Sequence, residues 1–191
     1  MTAQIPDQFF YNDLKFDLVG IRGEGLYTPI DFGINTISAS TACWRGFVMK
    51  YSIKNNQLLL EGFWINTKDE KLPEIDGIKP SKLDKDHKMS SFFKYEYMNI
   101  DKKIPFSGSI WLAKDFIDSE YVHMGFQSPS AYKTVFKFDI EEGDIIKIED
   151  LSKQAELARN ENQVSKSYPN SDSREDIDEW IRKRFSLDPD L

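Results

Sequence analysis

The chain has 191 residues, the length of one domain or of a domain with an appendage, and can bury a core without disulfide or metal staples. Its net charge of −7 lacks the basic surplus of a nucleic-acid binder and suits a basic partner. A single cysteine excludes an intrachain disulfide and fits a reducing cytoplasm, and no run approaches the roughly 20 apolar residues of a membrane span.

Residues 1–7 lack the basic and apolar regions of a signal peptide, so the expected location is cytoplasmic. Aromatic residues make up 14% of the chain, which favours strands. Residues 8–11 and 14–21 predict two strands about the turn pair Asn12-Asp13. After the glycine-containing turn 22–25, residues 26–32 predict a short strand, at an edge or bent, because Pro29 cannot donate to a ladder. Residues 33–41 are small and polar and predict a loop.

From Trp44 to Ile53 the chain alternates. Phe47, Met49, Tyr51 and Ile53 point one way, and Val48, Lys50 and Ser52 the other, the period of a half-buried strand. Residues 54–57 form the turn and 58–65 the return strand. The charged stretch 66–91, with Pro73, Gly77 and Pro80, predicts a long surface loop of the kind that is often functional. Residues 91–100 place Phe93, Tyr95 and Tyr97 on one strand face. Thr134, Phe136, Phe138 and Ile140 alternate again, with a turn at 141–144 and a return at 145–148.

Beyond Leu151 the composition turns helical. Ser152 is the expected N-cap of a helix over 152–162. Residues 164–172 read as a polar linker, and 173–185 as an amphipathic helix opened by a Ser173/Asp176 capping box. Ile177, Trp180, Ile181 and Phe185 form its apolar stripe, the expected partner-binding or self-associating surface.

Two segments read as copies of one unit. Leu26 to Phe32, a loop and the hairpin 47–60 parallel Ile110 to Phe116, a loop and the hairpin 134–147, and each leading segment ends in Asp-Phe. Two amphipathic units of this kind bury their apolar faces against each other. The expected architecture is therefore mainly β: two similar hairpin units, about 14–65 and 92–150, in one sandwich or barrel spanning 1–151, with a helical appendage at 152–191.

Candidate chemistry is sparse. Cys43 sits beside Arg45 in Thr41-Ala42-Cys43-Trp44-Arg45-Gly46, where a nearby cation could lower a thiol pKa. The Cys43-Trp44 pair resembles that of papain-like and CHAP-type peptidases. His123-Met124-Gly125-Phe126 is similar to the histidine strand of NlpC/P60 peptidases. The resemblance implies a Cys43 nucleophile and a His123 base. Against it, Cys43 precedes a strand pattern rather than a helix, and no third member follows His123. The caspase order fails because no histidine precedes Cys43.

Asp31 and Asp115 have two readings: local caps, or a carboxylate pair in a cleft that also holds Trp44 and Arg45. His87 and His123 have no paired ligand at a metal-binding spacing, and no phosphate loop or dinucleotide fingerprint is present, so neither a metal nor a cofactor is expected. Acidic clusters at 69–70, 141–144 and 149–150 suit a basic partner.

The string Leu26-Tyr27-Thr28-Pro29-Ile30-Asp31-Phe32-Gly33, followed by Thr41-Ala42-Cys43-Trp44-Arg45-Gly46, resembles the signature of an uncharacterised bacterial family. The resemblance spans about the β portion, leaves the C-terminal helices outside, and implies no activity, cofactor or site. The expected function is that of a non-enzymatic acidic binding protein, such as an immunity protein or antitoxin that blocks a partner protein. The alternative is a small cysteine hydrolase using Cys43 and His123.

Overall fold

The alternating segments form strands, and tight two-residue turns join several of them. β1 (Gln8–Tyr11) and β2 (Leu14–Glu24) meet at Asn12 and Asp13, which take the left-handed conformation at φ 50° and 60°. β3 (Phe47–Lys54) and β4 (Gln57–Ile65) meet the same way at Asn55 and Asn56. There follow β5 (Ser81–Lys82), β6 (Tyr95–Lys103), β7 (Ser107–Phe116), β8 (Tyr132–Glu141) and β9 (Asp144–Asp150). The helices α1 (Ser152–Glu161) and α2 (Arg174–Phe185) complete the chain. These elements come from a computed structural model that describes residues 2–161, 171, 173–185 and 187–189; most of the expected linker 164–172 and the Phe185 side chain lie outside the described residues.

The strands lie in the order β3-β1-β2-β7-β8-β9-β4-β6-β5, and pairing of β3 with β4 closes seven of them into a barrel, leaving β5 and β6 as an extension. Every pairing is antiparallel except that of β1 with β3. Side chains fill the interior. Phe9, Phe16, Tyr51, Phe63, Tyr97 and Phe138 are all buried there, so the barrel encloses a packed core rather than a ligand chamber.

The outer faces are covered locally. Val19, Trp111, Ala113, Tyr132 and Val135 pack with Ala155 of α1. Cys43, Val48, Trp64, Leu83 and Phe93 form a third cluster beneath the loop that precedes β6. Arg159 pins α1 by donating to the carbonyls of Ser130 (2.8 Å) and Tyr132 (2.9 Å).

The two hairpins agree in register. Met49, Tyr51 and Ile53 face the barrel core, as do Phe136, Phe138 and Ile140, while Val48 and Val135 face the outer clusters. Their leading segments do not agree. Residues 110–116 lie in β7, but Pro29–Phe32 is a 3₁₀ helix rather than the expected strand. Pro29 suits a first helical turn, and the Asp31 carboxylate accepts from the Thr28 amide (2.7 Å) and hydroxyl (3.0 Å). That local closure outcompetes a ladder.

Three smaller expectations also change. Phe93 precedes β6 and packs in the third cluster, apart from Tyr97 in the barrel core. The Ser152 hydroxyl accepts the Val135 amide (3.1 Å) instead of capping α1, and the Asp150 carboxylate takes the Ser152 amide (2.9 Å). The long connection 66–91 is not structureless, since β5 pairs with β6. Among the described residues no helix is long and apolar enough to cross a membrane.

Candidate functional site

The string at 41–46 is held by the N-terminal segment. The Gln4 side chain donates to the Thr41 carbonyl (2.9 Å) and accepts the Trp44 amide (3.1 Å), while its own amide donates to Gly125 (2.8 Å). The strings around Cys43 and His123 therefore meet, joined through Gln4. Gly46, at φ 75°, has the Ile37 carbonyl oxygen 2.0 Å from where a Cβ would stand, so only glycine lets the loop close there.

Cys43 and His123 are not joined by a hydrogen bond. The Cys43 thiol, 1% exposed, donates to the Phe47 carbonyl (3.3 Å), and His123 packs edge-on against Tyr121 with ring centroids 4.9 Å apart. Burial pushes the Cys43 thiol pKa up by more than Arg45 pulls it down. That is the reverse of what an attacking thiolate needs.

Arg45 is a structural pin. Its guanidinium forks onto Asp7 (2.7 and 3.2 Å), donates to the Ile5 carbonyl (3.0 Å), and lies over the rings of Phe47 and Phe126. Asp7 is buried and also accepts the Met49 amide (2.8 Å). Trp44, next in the chain, is 50% exposed.

The two aspartates are engaged in separate local structures. Asp31 closes its capping box and lines a cleft of about 420 Å³ with Tyr27, Phe32, Glu74, Asp76 and Lys102. Asp115 sits at the end of β7, bound to Lys114 (2.6 Å) and the Thr134 hydroxyl (3.0 Å), which hold its carboxyl below the usual range. Neither Asp115, Trp44 nor Arg45 lines the cleft beside Asp31. His87 accepts the Met89 amide (3.1 Å), and no group of three or more metal-ligating side chains exists among the described residues.

On α2 the cap forms as the sequence implies, with the Asp176 amide donating to the Ser173 hydroxyl (3.2 Å). The Asp176 carboxylate turns to Ser171 rather than back to the cap. Ile177 and Trp180 are half-buried, and Ile181 is exposed.

The surface that sequence reasoning missed is the free edge of β9. β9 meets β4 only at Asp144 and Gln57, supported by the bonds Leu58 N to Gly143 O and Ile145 N to Asn56 O (2.8 Å each). From there the two strands diverge, and β4 goes on to pair with β6. β9 then runs on beyond the β3–β4 turn. Among the described residues, the backbone of 146–150 bonds to no strand other than β8.

Ile146 is the extra residue of a bulge and is 63% exposed. Ile148 lies opposite the fully buried Phe138, yet is 41% exposed, and among the described residues no strand pairs with β9 on that side. Tyr11 of the β1–β2 hairpin touches Phe138 (5.1 Å), so Leu14, its cross-strand neighbour and 50% exposed, borders the same opening. Glu141 and Glu142 lie at the β8–β9 turn, and Glu149 and Asp150 lie at the far end of β9, where Glu149 pairs with Lys147 (3.0 Å) and Lys137 (3.7 Å). The acidic clusters were visible in the sequence; the missing neighbour was not, although Ile145-Ile146 breaks the alternation and signals the bulge.

Comparisons with protein-family models, with curated proteins and with solved structures find no match to this chain.

Proposed function

We propose that this protein is a non-enzymatic binding protein of the immunity-protein or antitoxin kind, which blocks a partner protein by taking an extended basic segment of it along the open edge of β9. The observation that supports this reading is the side of β9 away from β8, which over residues 146–150 meets no strand among the described residues, beside exposed Ile146, Ile148 and Leu14 and the acidic residues of the same hairpin. Such an edge adds a strand readily: the main chain supplies hydrogen bonds and alternate side chains supply specificity. Each isoleucine buried fully against a partner contributes about 1.5–3 kcal/mol. The bulge at Ile146 and the charge of Lys147 disfavour indiscriminate pairing, so the edge selects its strand.

The cysteine-hydrolase alternative gains nothing from the geometry, because the Cys43 thiol is buried, its pKa is raised and its proton is committed to a backbone carbonyl. The test compares the wild-type chain with an Ile146→Asp/Ile148→Asp variant as baits in the source cells. A protein recovered by the wild-type chain, shown with purified components to bind it directly, and lost by the folded variant is the expected result. A direct partner bound equally by both places recognition elsewhere and sinks the β9 reading.

A further inference from the structure

The ladder between β8 and β9 fixes which backbone groups of β9 point outward. The Leu151 amide donates to the Val135 carbonyl (2.8 Å), and before it Asp150 lies opposite Phe136, Glu149 opposite Lys137, Ile148 opposite Phe138 and Lys147 opposite Asp139. Bonding alternates along an antiparallel ladder, so residues 147, 149 and 151 turn their amides and carbonyls to β8. Ile148 and Asp150 turn theirs away, to the side where no strand lies among the described residues.

The outer face of the same ladder carries charge in rows. Lys137 lies over the Trp111 ring of the outer cluster (5.5 Å) and pairs with both Asp139 (2.9 Å) and Glu149 (3.7 Å). Lys147 pairs with Glu149 (3.0 Å) on that face and is opposite Asp139. Each row across the hairpin thus joins a cation to an anion, and the two rows run in opposite senses.

We propose that the open edge of β9 pairs with β9 of a second copy, antiparallel and centred on Ile148, to give a twofold dimer with a sheet continuous across it. At that centre each Ile148 amide meets the Ile148 carbonyl of the other copy, and the β8 ladder is left undisturbed. Lys147 of each copy falls opposite Glu149 of the other. The charge rows then cross both hairpins with alternating sign: Lys137 and Glu149 of one copy, then Lys147 and Asp139 of the other. Opposite charges across a strand pair stabilise it, and like charges do the reverse.

Other registers fit worse. Centring on Glu149 satisfies the backbone but sets the two glutamates opposite each other and Ile148 against Asp150. Centring on Asp150 opposes two aspartates. A slip of one residue sets core-face side chains against outer-face ones. The strand carries both halves of the charge pattern about one residue, and this self-complementarity makes a second copy the matched occupant. Ile148, 41% exposed in one chain, meets Ile148 of the second copy. Pairing also caps an edge that would otherwise template aggregation. The dimer and the basic segment proposed above compete for one edge, but the dimer rests on the ladder and the charge rows, not on the partner reading.

Light scattering of the full chain at about 100 µM, where a dimer of micromolar affinity is largely formed, should give a dimer. Lys147→Glu and Glu149→Lys each set like charges across the twofold and should each weaken it at least about tenfold. An equimolar mixture of the two restores opposite charges only between unlike copies and should give a one-to-one heterodimer. Hydrogen exchange needs no variant: the Ile148 amide should be protected at least about tenfold in the dimer and lose that protection on dilution. A monomeric wild type overturns the proposal and leaves the partner reading, which needs only an accessible edge, to its own test. A dimer that both charge variants keep, folded variants whose mixture forms no heterodimer, or an Ile148 amide that exchanges freely in the dimer places the contact elsewhere and overturns it as well.

Discussion

Arg45 and Asp7 tie the N-terminal segment to the start of β3, and removing one partner strands a buried charge. Arg45→Ala should cost about 3 kcal/mol in urea unfolding. Cys43→Ala removes one small group from the third cluster and should cost about 1 kcal/mol. Native Cys43 should also react slowly with a thiol reagent at neutral pH, with rapid labelling of the folded protein counting against a buried thiol.

Asp17 makes a pH prediction. Burial raises its pKa above the ordinary 3.8, against the opposing pull of Lys15 and the hydrogen bond from Tyr132. The folded state then binds this proton more tightly than the unfolded state does. The cost of ionising Asp17 is absent below the unfolded value, grows as pH rises, and is complete above the raised folded value. Asp17→Asn keeps an acceptor for Tyr132 and should be more stable than the wild type at pH 7, with the difference gone near pH 3. A difference that does not change with pH would contradict the burial penalty.

Between elements, close approach decides what a strand tolerates. Gly62 sits at the β4 irregularity opposite β6, where a Cβ would lie 2.1 Å from the Tyr97 carbonyl oxygen and 3.0 Å from the Met98 Cα. Gly62→Val must push two strands apart and should cost about 3 kcal/mol or prevent folding, read from the urea midpoint. The β3–β4 and β8–β9 hairpins were legible because their alternation survives in the structure and their turns carry Asn55-Asn56 and Glu142-Gly143 at positive φ. The preceding segments were not comparable. At residues 26–32 a capping carboxylate and Pro29 made a helical turn where the apolar pattern alone implied a strand.

At the scale of the whole molecule, closure joins distant parts of the chain. β2 pairs with β7, and β3 with both β1 and β4, so folding waits on non-local contacts and should occupy milliseconds to seconds in stopped-flow refolding. Truncation after Tyr168 removes Leu187, which packs against the barrel core and accepts the Ile21 amide on its carbonyl (2.7 Å), and Pro189, which is buried over Gly20. It should leave a folded barrel that is less stable by about 2–4 kcal/mol. A truncated chain as stable as the intact one would make the tail a passive appendage.

By itself the sequence determined that this is a mainly β chain with helices at its end, because period-two alternation and helix caps are local properties written in neighbouring residues. It also determined that Cys43 is the single cysteine and is followed by a strand pattern, not by the helix of the peptidases it resembles. Only the tertiary structure decided that the strands close into a barrel, that Asp31 and Asp115 belong to separate local structures, and that β9 outruns its neighbour while the C-terminal tail covers β2. Those outcomes depend on which strand lies beside which. Pairing of this kind is settled by contacts between residues far apart in the chain, and no local pattern encodes a neighbour that is missing.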